Sequence, residues 1–562
     1  MNSTAHLLAT GCSINQVTGQ ITGLCTTKGS VYININYPAI TPFFILGGGV
    51  LVALVLAAVL PKRQYPGLWP GLTALAGLGT VIDGLVQWAD LNGSSITPVT
   101  VGDQIFYDHM SAFFTILFGS ITVVAAVMSD SYLKREGLDG PEPYVLMMAC
   151  STGAVLMADA AGLISLFLGL EILSIALYTM TAYHRRRTAS GEAGLKYFIL
   201  GSFSSAVFIY GVALIYGATG STQYLGMVEF LIANSLVHNG VLLAGMGFVI
   251  VGLGFKVAGV PFHFWAPDVY QGAPTPFTGY MAAIAKAAGF AALIRVLMLG
   301  LQTETSAWRP IIWVLATLSV LFGSVWALAQ VDLKRMLAYS SVSQAGYVFI
   351  GLQAGTATGV RAVCFYVFTY AFMVMGTFAV VSVVQGRGEA RNDLSAVRGL
   401  SSRSPWLAFS MLVLLLGQAG IPLTSGFLGK WVVISAVIGQ GQYALGLIGM
   451  LGAAIAAFFY LRVALVMYMG TEAVPAPSLA PAAMGAAAGP APAYASDLPS
   501  LATAGLTQAD TVLTLRAAPS GRLKVPPSMA AVVVFCVAFT IFAGVSTPML
   551  SFAHSITLPW SV

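Results

Sequence analysis

The chain has 562 residues, of which 57% are hydrophobic and only 8% charged, and its formal charge is +5. Soluble domains carry roughly 25% charged residues, so this balance excludes a water-soluble enzyme and points to a chain embedded in lipid. The small positive charge reports where Lys and Arg sit relative to a membrane, and gives no reason to expect a nucleic-acid partner.

The first 39 residues form a polar N-terminal extension without the basic start and apolar core of a secretory signal, so the first span is expected to direct insertion. Apolar runs follow near 40–60, 67–89, 109–132, 144–161, 162–183, 194–217, 241–262, 276–300, 310–329, 338–354, 361–385, 405–435, 443–470 and 527–550. A helix needs about 20 apolar residues to cross a bilayer. The runs therefore predict an all-α polytopic membrane protein with about 14 transmembrane helices. A transmembrane barrel would need alternating segments of about 10 residues, and that pattern is missing. The runs 144–161 and 162–183 meet in a tight turn near Asp159.

Lys and Arg favour cytoplasmic loops. With the N-terminus outside, the inside loops hold sixteen of them, from Lys62 and Arg63 through Lys334 and Arg335 to Lys524, and the outside segments hold only Lys28, Arg309 and Arg361. The expected setting is a bacterial plasma membrane with both termini external. The five cysteines are scattered, with no Cys-x-x-Cys pair and no Cys/His cluster, so no metal or redox cofactor is expected on this chain. Cys12 and Cys25 share the external side, where a local disulfide and two unpaired thiols are both compatible with the sequence. The stretch Val474–Ala495 is almost all Ala, Pro and Gly. It makes 471–526 read as a flexible cytoplasmic insertion before the last span at 527–562.

Four ionisable residues fall inside apolar runs: Glu171, Lys196, Lys256 and Lys286. A charge at bilayer depth costs about 3 kcal/mol or more unless paired or hydrated, so such residues point to an ion or proton path. Two further segments are interrupted alike. Gly259-Val260-Pro261 follows Lys256, and Gly420-Ile421-Pro422 precedes Lys430. Proline removes a backbone donor and clashes with the preceding turn, so both helices should break. Broken helices at corresponding places point to an internal repeat with the ion site at its interface. The division expected is three leading spans in 40–143, a first repeat in 144–300 and a second in 301–470. Glu171 is expected to partner Lys256, since a carboxylate in lipid stays ionised beside a cation. The competing structural reading is a permanent ion pair that fixes packing, which would leave Lys196, Lys286 and Lys430 unexplained. His263, just after Pro261, is a candidate relay or a cap on the broken end. Glu192 and Lys196 are spaced to pair along one helix face. Asp332, Lys334 and Arg335 read as a cytoplasmic topology signal. Ser340, Ser341, Ser343 and Tyr347 form a polar stripe suited to water or to helix packing.

Leu168-Gly169-Leu170-Glu171, Glu192 to Phe198, Val260 to Tyr270, Gly272-Ala273-Pro274, Leu333 to Ser341, and Gly420-Ile421-Pro422 through Lys430 resemble the antiporter-like membrane subunits of respiratory complex I. The match runs from about 105 to 470. Asp268-Val269-Tyr270 before Gly272-Ala273-Pro274, with lysine at 430, favours the subunit N branch over a sister branch with glutamate there. The resemblance implies two inverted five-helix repeats containing broken helices, around a hydrated axis of charged groups. It implies that Glu171 and Lys256 serve the first half-channel, that Lys286 bridges, and that Lys430 ends the second half, with Lys196 also used. It implies proton translocation driven by quinone reduction elsewhere, with flavin and iron–sulfur clusters in partner subunits and sister antiporter-like subunits as neighbours. Separation of Glu171 from Lys256 would then move a proton toward Lys286 and Lys430. The alternative is a subunit of a multisubunit sodium/proton antiporter without a redox partner.

Overall fold

In a computed structural model of the chain, residues 36–60, 67–93, 104–234, 239–389, 391–469 and 523–546 are described in full, with a few short pieces between and beyond them. The Cys12–Cys25 question and the insertion up to residue 522 lie outside the described residues. The helices are α1 (Tyr37–Val59), α2 (Leu68–Gly93), α3 (His109–Glu136), α4 (Glu142–Asp159), α5 (Leu163–Thr181), α6 (Thr188–Thr219), α7 (Tyr224–Asn234), α8 (Gly240–Lys256) and α9 (Trp265–Gly272). They continue as α10 (Thr275–Ile294, extended by a π-helical turn to Gly300), α11 (Thr305–Leu328), α12 (Leu333–Gln353), α13 (Ala357–Gln385), α14 (Pro405–Ala419), α15 (Ser425–Ile438), α16 (Tyr443–Tyr468) and α17 (Pro527–Val545). Besides these there are short two-stranded hairpins, such as Val99–Val101 with Ile105–Tyr107.

Among the described residues, ten helices are long and apolar enough to cross a membrane. The more polar α4 and α12 and two broken helices, α8/α9 and α14/α15, bring the crossings to the fourteen expected. The turn near Asp159 is a true boundary, because α4 ends there and α5 starts four residues later. Among the described residues, the short α7 between α6 and α8, and α9 beyond the first break, lie outside the predicted apolar runs.

The two breaks run in opposite senses. In chain order α8 starts at the end of the bundle away from the Lys- and Arg-rich loops, and α9 finishes beside them; α14 starts beside those loops and α15 finishes away from them. An inverted pair of repeats requires this relation. The side with the basic loops is called the basic side below.

Each break has a local cause. After α8, Ala258 takes a φ of 59° and the Gly259 N–H turns back to the Gly254 carbonyl, at 2.9 Å. The Val260 N–H is taken by Ser319 Oγ of α11 at 2.9 Å, and Pro261 has no N–H to continue the ladder. After α14, Gly420 takes a φ of 88°, which suits glycine because it has no Cβ, and its N–H and that of Ile421 close onto the Leu416 carbonyl.

Burial orders the helices in the bundle. In α10 and α13, 94% of the most apolar window is buried, against 17% in α1, so α10 and α13 form the centre and α1 lies at the rim. α10 packs on α13, α6 on α8, α11 on α12, and α9 on α12. Glycines allow the closest approaches: a Cβ at Gly289 of α10 would stand 2.5 Å from Val257 Cγ1, beside the stem of Lys256.

Candidate functional site

Lys256, Lys286 and Lys430 are all buried and all lie at the breaks. Lys256 is the last residue of α8. Its ammonium donates to Ser174 Oγ of α5 at 2.8 Å and lies 5.9 Å and 5.7 Å from the ring centroids of Tyr178 and Tyr197. A cavity of about 10 Å³ adjoins Lys256, Ser174, Tyr178 and Gly252, with room for about one water molecule. Lys286, three turns into α10, donates to the carbonyl of Val257 at 2.8 Å, the residue that follows Lys256. Lys430 of α15 donates to the carbonyls of Gln418 (3.0 Å) and Ala419 (2.7 Å), the end of α14, and sits 4.6 Å from the Tyr347 ring centroid.

A shared logic underlies Lys286 and Lys430. The last carbonyls of a helix lack backbone partners and carry partial negative charge. A helix broken in mid-membrane exposes such carbonyls where water is scarce, and an ammonium satisfies them. Among the described residues none of the three lysines is ion-paired with a carboxylate. An amine held by neutral oxygens can release its proton without leaving a buried carboxylate unpaired, which an amine locked in an ion pair cannot do.

Polar side chains gather beside Lys430 and along α12. Around Lys430, the Gln344 amide donates to the Gln418 carbonyl (2.9 Å) and the Gln418 amide to Thr377 Oγ1 (2.7 Å). The Tyr366 hydroxyl donates to Gln344, and the Ser340 and Tyr460 hydroxyls bond each other. Tyr370 donates to Ser341 Oγ at 2.8 Å, and Ser341 lies 3.3 Å from the Tyr270 hydroxyl. Ser343 bonds Ser324 and Tyr347 donates to the Gly449 carbonyl, so the predicted stripe on α12 is spent on hydrogen bonds to several neighbouring helices.

The remaining predicted residues are placed differently. Glu171 makes no ion pair with Lys256. It is half-buried on α5, on a face shared with the exposed Leu168 and Ile175, and its Oε1 has no hydrogen-bond partner among the described residues. Ser174, one turn on, takes the position at Lys256 that was expected for Glu171. The reason is rotational: residues three apart on a helix lie about 60° from one another, enough to turn one inward and the other to the edge. Lys196 is not buried at depth either. It is 43% exposed and bridges Glu192 (2.7 Å) and Asp268 (3.0 Å), with Arg335 on the other Asp268 oxygen at 2.6 Å. Lys196, Glu192 and Asp268 line a cleft of about 200 Å³ at the basic side. His263 is half-buried in the break, its ring 4.8 Å from that of Phe264, and its Nδ1 has no partner among the described residues.

Three participants escaped the sequence reading. Ser174, a small hydroxyl in an apolar helix, carries no signal in the sequence that marks it as the partner of Lys256. Lys334, taken for a loop signal, is fully buried and donates to the Ala273 carbonyl (2.5 Å) and Glu389 Oε2 (3.0 Å). Arg295, at the end of α10, is fully buried, with NH1 and NH2 on the two Asp108 oxygens (2.5 and 2.8 Å) and Nε on the Ala158 carbonyl (2.7 Å). Among the described residues no group of three or more His, Cys, Asp or Glu is placed to hold a metal ion.

Comparison with known proteins adds the family. The family described as "NADH:quinone oxidoreductase/Mrp antiporter, TM" matches residues 160–456. NADH-quinone oxidoreductase subunit N of Trichlorobacter lovleyi is 37% identical over 439 residues, covering 78% of this chain and 88% of that protein. A chain of respiratory complex I from Thermus thermophilus superposes with a TM-score of 0.69 at 29% identity, covering 91% of this chain and 99% of that one. A chain of the Mrp complex from a Dietzia species reaches a TM-score of 0.76 at 18% identity, covering 94% and 99%, a likeness of fold alone. With opposed broken helices, buried lysines at their ends and these matches, the chain belongs to the NADH:quinone oxidoreductase/Mrp antiporter family of membrane subunits.

Proposed function

We propose that this chain is a proton-translocating subunit of the membrane arm of an NADH-quinone oxidoreductase, with the basic side cytoplasmic and both termini external. Its relatives that bear the name subunit N support the choice of complex. Quinone reduction in other subunits supplies the energy, and flavin and iron–sulfur clusters belong to those subunits. The observation that carries the proposal is the line of three buried ammonium groups at Lys256, Lys286 and Lys430, each held by neutral oxygens. Protons move along it by way of Ser174, the break at Val257, and the hydroxyl and amide groups between α9 and α15.

Glu171 acts at the edge of this line. A half-buried carboxylate on an otherwise apolar face suits a neighbouring antiporter-like subunit that brings a cation to it. Approach or withdrawal of that charge then changes the field at Lys256 and starts transfer toward Lys286. Lys196 and Asp268 serve the cleft at the basic side, and His263 is the relay at the break.

Purification from native membranes in mild detergent, with mass spectrometry and an NADH–quinone assay, tests the assignment. Flavin and iron–sulfur subunits co-purifying with activity support it. Small membrane subunits alone, with no redox activity, would instead make the chain part of a multisubunit cation/proton antiporter.

A further inference from the structure

The loop after α13 carries a buried carboxylate outside the proton line, Glu389. It is 3% exposed and follows Gly388, with a φ of 50° of its own. Its Oε1 accepts from the Tyr132 hydroxyl (2.8 Å), the Thr275 N–H (2.7 Å) and Thr275 Oγ1 (2.8 Å). Its Oε2 accepts from Arg187 NH1 (2.7 Å) and Lys334 Nζ (3.0 Å). One side chain thus joins α3, the loop before α6, the start of α10 and the start of α12.

These partners belong to different halves of the molecule. Tyr132 lies on a leading span, Arg187 and Thr275 in the first repeat, and Lys334 in the second. Lys334 also holds the Ala273 carbonyl, which closes α9, the second part of the helix interrupted after Lys256. Thr275 opens the helix that carries Lys286. The Glu389 carboxylate therefore ties the end of one working helix and the start of another to the second repeat. If its charge were removed, Arg187 and Lys334 would face each other without a counter-ion, and Lys334 has no exposure to water.

We infer that Glu389 is a positioning residue that couples the two repeats at the basic side, so that a shift of α9 and α10 during transfer in the first repeat reaches α12 in the second. The inference rests on the proton-translocation reading above. Its test compares Glu389→Gln and Glu389→Asp in the assembled complex, in membrane vesicles, by protons moved per NADH oxidised. Glu389→Gln should lower that ratio while NADH oxidation persists, and Glu389→Asp should recover part of it. A merely structural role would reduce assembly and both activities together and leave the ratio unchanged, which would overturn the inference, as would a wild-type ratio in Glu389→Gln. If Glu389→Gln does not assemble, Arg187→Gln, which removes one cation at a partly exposed site, should lower the ratio by a smaller amount, and an unchanged ratio there would overturn it. Lys286→Ala is run in parallel. If it too pumps at the wild-type ratio, the proton-line reading itself has failed, and not the coupling role alone.

Discussion

Lys286 donates to the carbonyl oxygen of Val257 at 2.8 Å, so the ammonium of the central helix closes the broken end of the helix that carries Lys256. The Lys286 ammonium thereby bonds the backbone of the residue next to Lys256. Changes at either lysine alter the geometry of the same break, and side chains that hold a lysine in place become the natural targets for mutation.

Ser174→Ala removes the hydroxyl that accepts from Lys256. An ammonium losing a buried acceptor costs about 1–3 kcal/mol. Protons moved per NADH should fall in this variant while the complex still assembles, and Ser174→Thr, which keeps a hydroxyl, should retain most of the ratio. Fluorescence-quench assays on inverted vesicles would measure both.

Gly420→Ala combines two faults. A φ of 88° is a left-handed conformation that costs a residue with a Cβ about 1–2 kcal/mol. The added Cβ would also stand 2.8 Å from Lys430 Cδ. We expect a lower melting temperature in detergent together with a loss of pumping, whereas Gly441→Ala, with a φ of 73° but nothing within 4 Å of its Cβ, should show the strain without the pumping defect.

The buried pair Arg295–Asp108 tests packing at the side away from the basic loops. Removing one partner leaves a charge buried and unpaired, at about 3–5 kcal/mol. Arg295→Met should therefore destabilise the protein strongly, and adding Asp108→Leu should recover part of the loss rather than add to it. Thermal unfolding of the purified protein gives both values.

Acid sensitivity should trace to Glu389. Burial alone would raise its carboxyl, but Lys334 and Arg187, with the Thr275 N–H, bring it down to about 2. The folded value lies below the ordinary one, so the stabilisation is fully present above the unfolded pKa of about 4.3 and is lost as pH falls through about 2. The melting-temperature gap between wild type and Glu389→Gln should hold from pH 8 to 5 and narrow below about pH 4.

Much of this architecture was legible in the residues. The spans follow from run length, because lipid requires each backbone to satisfy itself within a helix. The breaks follow from Gly-x-Pro, and the lysines from their cost in lipid. Side-chain direction around a helix axis was not legible. Glu171 and Ser174 lie within one turn, yet one points to the rim and the other to Lys256, and only the packing of α5 against α4, α6 and α10 decides which. Lys334 sits in a run of charged residues that reads as solvated, and its burial depends on Glu389, 55 residues later in the sequence. Nothing local in Arg387-Gly388-Glu389 marks that carboxylate as an acceptor for two halves of a membrane protein.

The central claim is that protons pass along the three buried lysines. The most direct measurement is protons moved per NADH oxidised, in vesicles carrying Lys256→Ala, Lys286→Ala or Lys430→Ala, with assembly checked on native gels. The account predicts an assembled complex with a reduced ratio in each variant. An assembled complex pumping at the wild-type ratio in all three would contradict it.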